Sequence, residues 1–293
     1  MLNVNYHGHT NRCGHAVGED EEYIQNAIKM NYKILGISDH CPYRTPYPPE
    51  RMNYEQFEEY LTTLRSYQEK YKDQIQLYVG CEIEYYPSQL KDLYHYRKVL
   101  DYCILGQHNR ELDVDSNYCL TKPEQVRAYG DRIVNGCASG LVDIVAHPDL
   151  FMYGYPQWDE ACEEVAHRIC QASLDYDIPL ELNMGGVRYG IFHYKDGDRH
   201  CYPDRRFFEI VEKYGCKVIP GLDIHDPKWF LDTSLQKTTF SIVEGLKLNY
   251  ASDEDIIAAA KRRKHALFSN KQHVLTAEYE SMFKNDTYEM NQE

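Results

Sequence analysis

The sequence is poor in the features that give a quick functional reading. It contains no run of eighteen apolar residues, so no segment reads as a membrane-spanning helix. No basic-then-apolar stretch opens it, and the expectation is a cytoplasmic protein without a signal peptide. None of the ten cysteines forms a C-x-x-C pair, which removes the usual thiolate zinc and redox motifs. Scattered in this way, they are expected to be reduced and mostly small core residues. Basic residues are also scarce, with 32 Lys and Arg against 46 Asp and Glu, a formal net charge of −14. That balance argues against a nucleic-acid partner, whose phosphates need a basic face. A small anionic substrate stays open, because bound divalent cations would reverse the field locally. No P-loop and no Ser or Cys nucleophile motif is present, which argues against a covalent route.

What is present is alternation. Short apolar runs occur at 2–7, 33–40, 76–85, 101–108, 143–149, 179–184 and 217–225. Between them the apolar spacing turns helical. Phe57, Leu61, Leu64 and Tyr67 form one stripe, and Val165, Ala166, Ile169 and Cys170 another. Strands alternating with helices imply right-handed βαβ units around a parallel sheet. Seven such units without a linker predict one α/β domain over residues 1–270, a (β/α)7 TIM-like barrel with one strand fewer than usual. Residues 271–293 are polar and read as a helical carboxy-terminal extension. The 27 tyrosines are expected as packing and rim residues.

The chemistry lies at the strand ends. The first strand runs into His7 and His9, with His15 following in "CGHA"; the second ends at His40. The third carries Glu82, the fourth ends at His108, the fifth carries His147, and the seventh ends in Asp223 and His225. In a (β/α) barrel the carboxy-terminal strand ends meet on one face, so residues distant in sequence would share one bowl. The i, i+2 spacing of His7 with His9, and of Asp223 with His225, sends each pair to the same side of an extended strand. Nine candidates exceed the needs of one tetrahedral ion and suit two or three divalent transition-metal ions. Glu82 is the natural bridge. Mixed imidazole and carboxylate donors fit Zn, Fe or Mn, and no thiolate set chooses among them.

The ordered motifs "HGHT", "CGHA", "SDHCP", "GCEIE", "GQH", "AHPD" and "LDIH" resemble the PHP (polymerase and histidinol phosphatase) superfamily over about residues 5–227. The resemblance implies a distorted seven-stranded barrel holding a trinuclear metal centre. By motif, His7, His9, Glu82 and Asp223 would hold the first ion. Glu82, His108 and His147 would hold the second, and His15, His40 and His225 the third. Two positions depart from the usual pattern. Asn5 stands where an aspartate is common, and Leu222 precedes Asp223 where a serine is common. Neither removes a ligand.

The segment "ELNMGGVRYG" followed by "CYPD" resembles the histidinol-phosphate phosphatase branch, through Glu181, Asn183, Gly186, Arg188, Tyr202 and Pro203. The implied activity is metal-assisted hydrolysis of a small phosphate monoester, with Glu82 and Asp223 as catalytic carboxylates. Arg188 is expected to clamp the phosphate, because a guanidinium binds phosphoryl oxygens bidentately. His193 and His200 flank the neighbouring polar loop as candidate substrate contacts. Asp39 and Asp149, beside ligand histidines, are expected to orient them. His95 and His167 read as surface or rim residues within helices, and His265 and His273 as part of a solvated basic segment. Cys13 and Cys41 lie near ligands without being assigned as such. Two other readings remain: a phosphoesterase acting on a nucleotide, sugar phosphate or phosphotyrosine, and a metal-binding regulatory protein without turnover.

Overall fold

Each of the seven apolar runs forms a strand in the computed structural model, which describes residues 2–44, 50–112 and 114–269. Counting only the strands of the barrel sheet, these are β1 (Val4–Asn5), β2 (Ile34–Ile37), β3 (Gln76–Ile83) and β4 (Tyr102–Leu105). They continue with β5 (Ile144–Val145), β6 (Leu180–Asn183) and β7 (Lys217–Gly221). All pair in parallel and in chain order, the arrangement expected when each return crosses over through a helix.

The sheet differs from the seven-stranded expectation by one short strand, β8 (Asn249–Tyr250), which adds in parallel to the start of β7. β8 does not close the barrel. Closure runs between β1 and β7, through a bridge of Gly8 with Ile224 and bonds from His9 N–H to the Ile224 carbonyl and from Ile224 N–H to the His7 carbonyl. Asn5 belongs to this seam. Its amide donates to the His7 carbonyl at 2.8 Å and accepts from Leu222 N–H at 2.8 Å. An ionised carboxylate there could only accept. Both departures from the family pattern therefore sit on one closing contact.

The helices are α1 (Asp20–Lys29), α2 (Phe57–Tyr71), α3 (Leu90–Val99), α4 (Pro123–Ala138) and α5 (Glu160–Asp175), then α6 (Arg205–Tyr214), α7 (Ser234–Ile242) and α8 (Asp253–Ser269). In α2 the buried face is Phe57, Tyr60, Leu64 and Tyr71; Leu61 and Tyr67 pack at its margin. In α5 all four residues of the expected stripe are buried. α5 starts where the Asp159 carboxylate accepts from Ala161 and Cys162 N–H, which satisfies two otherwise unpaired donors.

The barrel interior holds Val4, Tyr6, Tyr102, Ile104, Ile144, Ala146 and Ile219. α8 lies across the strand starts and packs Ile256, Ile257 and Ala260 against this group. The basic segment on α8 is therefore only partly a solvated face. His265 is exposed, but Arg263 pairs with buried Asp143 at 2.9 Å and Lys264 donates to the Leu100 carbonyl at 2.9 Å. Asp143 also meets Arg97 at 3.1 Å, so the floor is latched by an ion pair that local sequence patterns do not reveal. Among the described residues no helix is long and apolar enough to cross a membrane. His273 and the expected extension 271–293 lie outside the described residues.

Candidate metal centre

With the strand starts covered by α8, the opposite ends open into a bowl centred on Glu82. Its Oε2 lies 3.0 Å from His40 Nδ1, 3.5 Å from His7 Nε2 and 3.7 Å from His9 Nε2. Its Oε1 lies 2.9 Å from His147 Nε2 and 3.4 Å from His108 Nε2. Asp223 Oδ1 completes the near group, 3.2 Å from His9 Nε2, 3.6 Å from His7 Nε2 and 3.4 Å from His225 Nδ1. The outer group joins His15, His40 and His225. All nine residues expected from the strand ends fall into groups of three whose donor atoms lie within 4.8 Å of one another.

These spacings carry chemical information. Ligand atoms bound 2.0–2.1 Å from a tetrahedral ion stand about 3.3 Å from each other. Most of the separations around Glu82 and Asp223 are of that size, longer than a strong hydrogen bond between ionised partners. His7 Nε2, His9 Nε2, Glu82 Oε2 and His225 Nε2 are buried without a hydrogen-bond partner among the described residues. Such atoms cost about 1–3 kcal/mol each when left unsatisfied. Imidazole nitrogens and carboxylate oxygens that converge while several of them stay unbonded fit divalent ions as their shared partner.

The backbone is shaped to hold these side chains. His147 has φ 28° and Asp223 has φ 50°, left-handed values that a residue with a Cβ adopts at a cost of about 1–3 kcal/mol. At Gly106, just past β4, an added Cβ would lie 1.7 Å from Glu82 Oε1, so only glycine lets this strand pass the carboxylate. Asp39 accepts from the backbone N–H of His40 at 2.8 Å and from Thr10 Oγ1, and it faces His9 Nδ1 at 3.5 Å without a hydrogen bond. Asp149 does not play the expected orienting part for His147. It accepts from Asp204 N–H at 2.6 Å, and His147 Nδ1 has no hydrogen-bond partner among the described residues. Glu84 takes up the backbone N–H of His108 at 2.9 Å and pairs with Arg51 at 2.8 Å, a support that the motif reading missed.

Electrostatics divide the histidines. Burial acts against a charge on His7, yet Glu181, Asp223 and Glu82 hold its pKa well above the ordinary imidazole value. His9 and His147 are raised in the same way, against burial, chiefly by the facing carboxylates of Asp223 and Glu82 respectively. Burial pushes His40 and His225 well below that value, with nearby His9 adding to the effect. It lowers His108 to about 4, against the pull of Glu82. Glu82 and Asp223 are themselves held well below the usual carboxylate range; burial opposes this, and the surrounding histidines outweigh it. Without metal, the facing carboxylates make His7, His9 and His147 hold their second proton more tightly than a free imidazole does, and metal binding must displace it. Metal affinity should therefore rise as the pH is raised, and loading should release protons into a weakly buffered solution. An affinity independent of pH would contradict these assignments. Cys13 stands with His9 and His225 as a further group of three possible donors. Burial holds the Cys13 thiol far above its ordinary value and pushes Cys41 up to about 12, and Cys13 Sγ donates to the Thr10 carbonyl at 3.1 Å.

A cavity of about 450 Å³ opens onto the bowl. Arg188 lines it beside Asp223 and His225. Its Nη1 donates to the Asp223 carbonyl at 2.6 Å and to the Leu222 carbonyl at 3.2 Å, and its guanidinium lies 4.1 Å from the Trp229 ring centroid. The other expected substrate contacts are not brought here. His193 is on the outer face of a hairpin (Phe192–Tyr194 with Gly197–Arg199), its side chain 87% exposed and paired with Asp198 at 2.6 Å. His200 lines a separate cleft beside Arg205 and Arg206. Both depart from expectation for one reason: the hairpin folds the polar loop away from the bowl. Glu181 and Asn183 belonged to the branch motif but had no assigned role. Both project from β6 into the bowl floor, and their i, i+2 spacing on a barrel strand was the available signal.

The sequence matches the PHP domain family over residues 5–185. A protein of Deinococcus radiodurans named probable histidinol-phosphatase is 27% identical over 240 residues, covering 75% of this chain and 85% of its own. A Schizosaccharomyces pombe protein of the same name is 25% identical over 253 residues, covering 76% of this chain and 81% of its own. Among solved structures, the histidinol phosphate phosphatase of Lactococcus lactis, in complex with zinc, L-histidinol and phosphate, shares the fold with a TM-score of 0.64. It is 16% identical, over 85% of this chain and 96% of that one.

Proposed function

The chain belongs to the PHP domain family, and on that premise we propose that it is a metal-dependent phosphatase whose substrate is L-histidinol phosphate. The observation that carries this reading is the convergence of nine metal-ligand candidates around Glu82, in a cavity whose one permanently charged cation among the described residues is Arg188. His7, His9, Glu82 and Asp223 would hold one ion, Glu82, His108 and His147 a second, and His15, His40 and His225 a third. Zinc is the first metal to test, because the Lactococcus relative carries it. When bound, such ions would supply Lewis acidity and a water acidic enough to serve as nucleophile near neutrality.

The remaining work falls to the protein's own residues. Glu82 and Asp223, ionised across the working pH range, offset the cationic charge of the centre. Arg188, fixed by two carbonyls and the Trp229 ring, offers its charge to phosphoryl oxygens with little reorganisation. Burial disfavours ionisation of the Cys13 and Cys41 thiols, which favours direct hydrolysis over a covalent intermediate. Besides the metal-ligand candidates and Arg188, the cavity is lined by Tyr118, Tyr153, Tyr189, Tyr202 and Trp229, with Glu50 as a further carboxylate. Such walls suit a leaving group with a flat heteroaromatic ring and a nearby cation. The two similarly named relatives, each aligned over three quarters of this chain, support the same substrate.

Steady-state kinetics on L-histidinol phosphate beside p-nitrophenyl phosphate, a sugar phosphate, a nucleotide and phosphotyrosine test the proposal. The expected result is a clearly higher kcat/KM for L-histidinol phosphate, because binding energy from its ring and ammonium is used at the reacting phosphorus. Comparable values across the panel would leave a phosphatase with a different substrate.

A further inference from the structure

Among β1 to β7, β6 alone contributes no metal-ligand candidate, yet it places a carboxylate beneath the centre. His7 Nδ1 donates to Glu181 Oε1 at 2.9 Å, and Oε2 of the same carboxylate is 3.1 Å away. Oε2 also accepts from the backbone N–H of His147 at 3.0 Å and from Asn183 Nδ2 at 2.7 Å. Asn183 is in turn fixed, its Oδ1 accepting from Gly185 N–H at 2.6 Å. The Glu181 side chain is buried and surrounded by donors. Space for it is reserved on the adjacent strand, where a Cβ on Gly221 would lie 1.7 Å from Glu181 Oε1.

We infer that Glu181 is a positioning residue for two metal ligands at once. Through the His7 ring it keeps a proton on Nδ1 and turns Nε2 toward Glu82 and Asp223. Through the His147 backbone it holds the left-handed turn that aims this second ring at Glu82 Oε1. A carboxylate that accepts from the far nitrogen of a metal-binding histidine fixes both its tautomer and its direction. Here that arrangement extends to a ligand of a second ion. The role rests on the metallophosphatase reading, since it has meaning only if the bowl holds ions.

Glu181→Gln is the informative variant. Its amide keeps the volume but turns one acceptor into a donor, which must then face His7 Nδ1–H, His147 N–H or Asn183 Nδ2. Removal of such a support typically weakens metal binding about 10–100-fold. The measurement is zinc affinity of the full chain in competition with a chromogenic chelator, for wild type, Glu181→Gln and Gly221→Ala. Gly221→Ala pushes a methyl against Glu181 while changing no polar group. Weakening on that scale in both variants is the expected result. Affinity within about twofold of wild type in Glu181→Gln would overturn the role. Should the variants fail to fold, nitrogen-15 spectra of histidine-labelled, zinc-loaded wild type decide the matter: the proton of His7 is expected on Nδ1, and a proton on Nε2 would overturn the inference. The two readings fail separately. A wild type that takes up no zinc ends the metallophosphatase reading together with this role, whereas normal wild-type loading with unaffected variants ends only the role of Glu181.

Discussion

Glu82→Gln should abolish turnover and strip the protein of metal, the largest effect expected of any single substitution here. Both oxygens of this carboxylate are engaged, Oε1 with His108 and His147 and Oε2 with His7, His9 and His40. A glutamine keeps the shape but presents one oxygen and one N–H donor, so it could not serve two ions as the carboxylate would. The remaining imidazoles then face one another without their central anion. Loss of one preorganised electrostatic group typically costs about 10²–10³ in rate. Loss of a group serving two ions should exceed this, with metal content falling in parallel. His15→Ala should be far milder, because His15 is exposed and belongs only to the outer group. Elemental analysis and kinetics on both variants check the contrast, and equal mild losses would remove Glu82 from its bridging position.

Arg188→Ala is expected to lower kcat/KM by about 10²–10³ while metal content holds, since Arg188 contacts the centre only through backbone carbonyls. The guanidinium is held by the Leu222 and Asp223 carbonyls and by Trp229, so its orientation is set before substrate arrives. Preorganised charge acts most strongly where phosphoryl charge shifts in the transition state. Arg188→Lys should recover only part of the loss, because an ammonium lacks the planar fork and the ring stacking. If Arg188 served ground-state binding alone, KM would rise and kcat would hold. Near-wild-type values for both constants would remove the phosphate clamp.

Much of the site was legible in the sequence because a parallel barrel turns strand ends into neighbours. His7, His9, His40, Glu82, His108, His147, Asp223 and His225 all sit at or just past a strand end, and His15 follows β1 closely. The strands were legible for a related reason, since they are buried on both faces and read as continuous apolar runs. β8 has only two residues, both exposed, so no pattern marks it. The floor made by α8 depends on Asp143 meeting Arg97 and Arg263, contacts between positions far apart in the chain. His193 was misplaced because a short hairpin reverses the chain within a few residues and pairs it with Asp198. Glu181 was visible as a letter in a motif, but its partners His7 and His147 lie on other strands, and only the closed barrel brings them together.

If a multi-ion centre built on Glu82 hydrolyses a phosphate monoester, activity must follow metal loading. Titrating metal-free protein with zinc while following phosphate release from L-histidinol phosphate in the same sample tests this most directly. Activity is expected to be absent without metal, to rise only as more than one ion binds per chain, and to vanish again with chelator. Full activity with one bound ion or none would contradict the account.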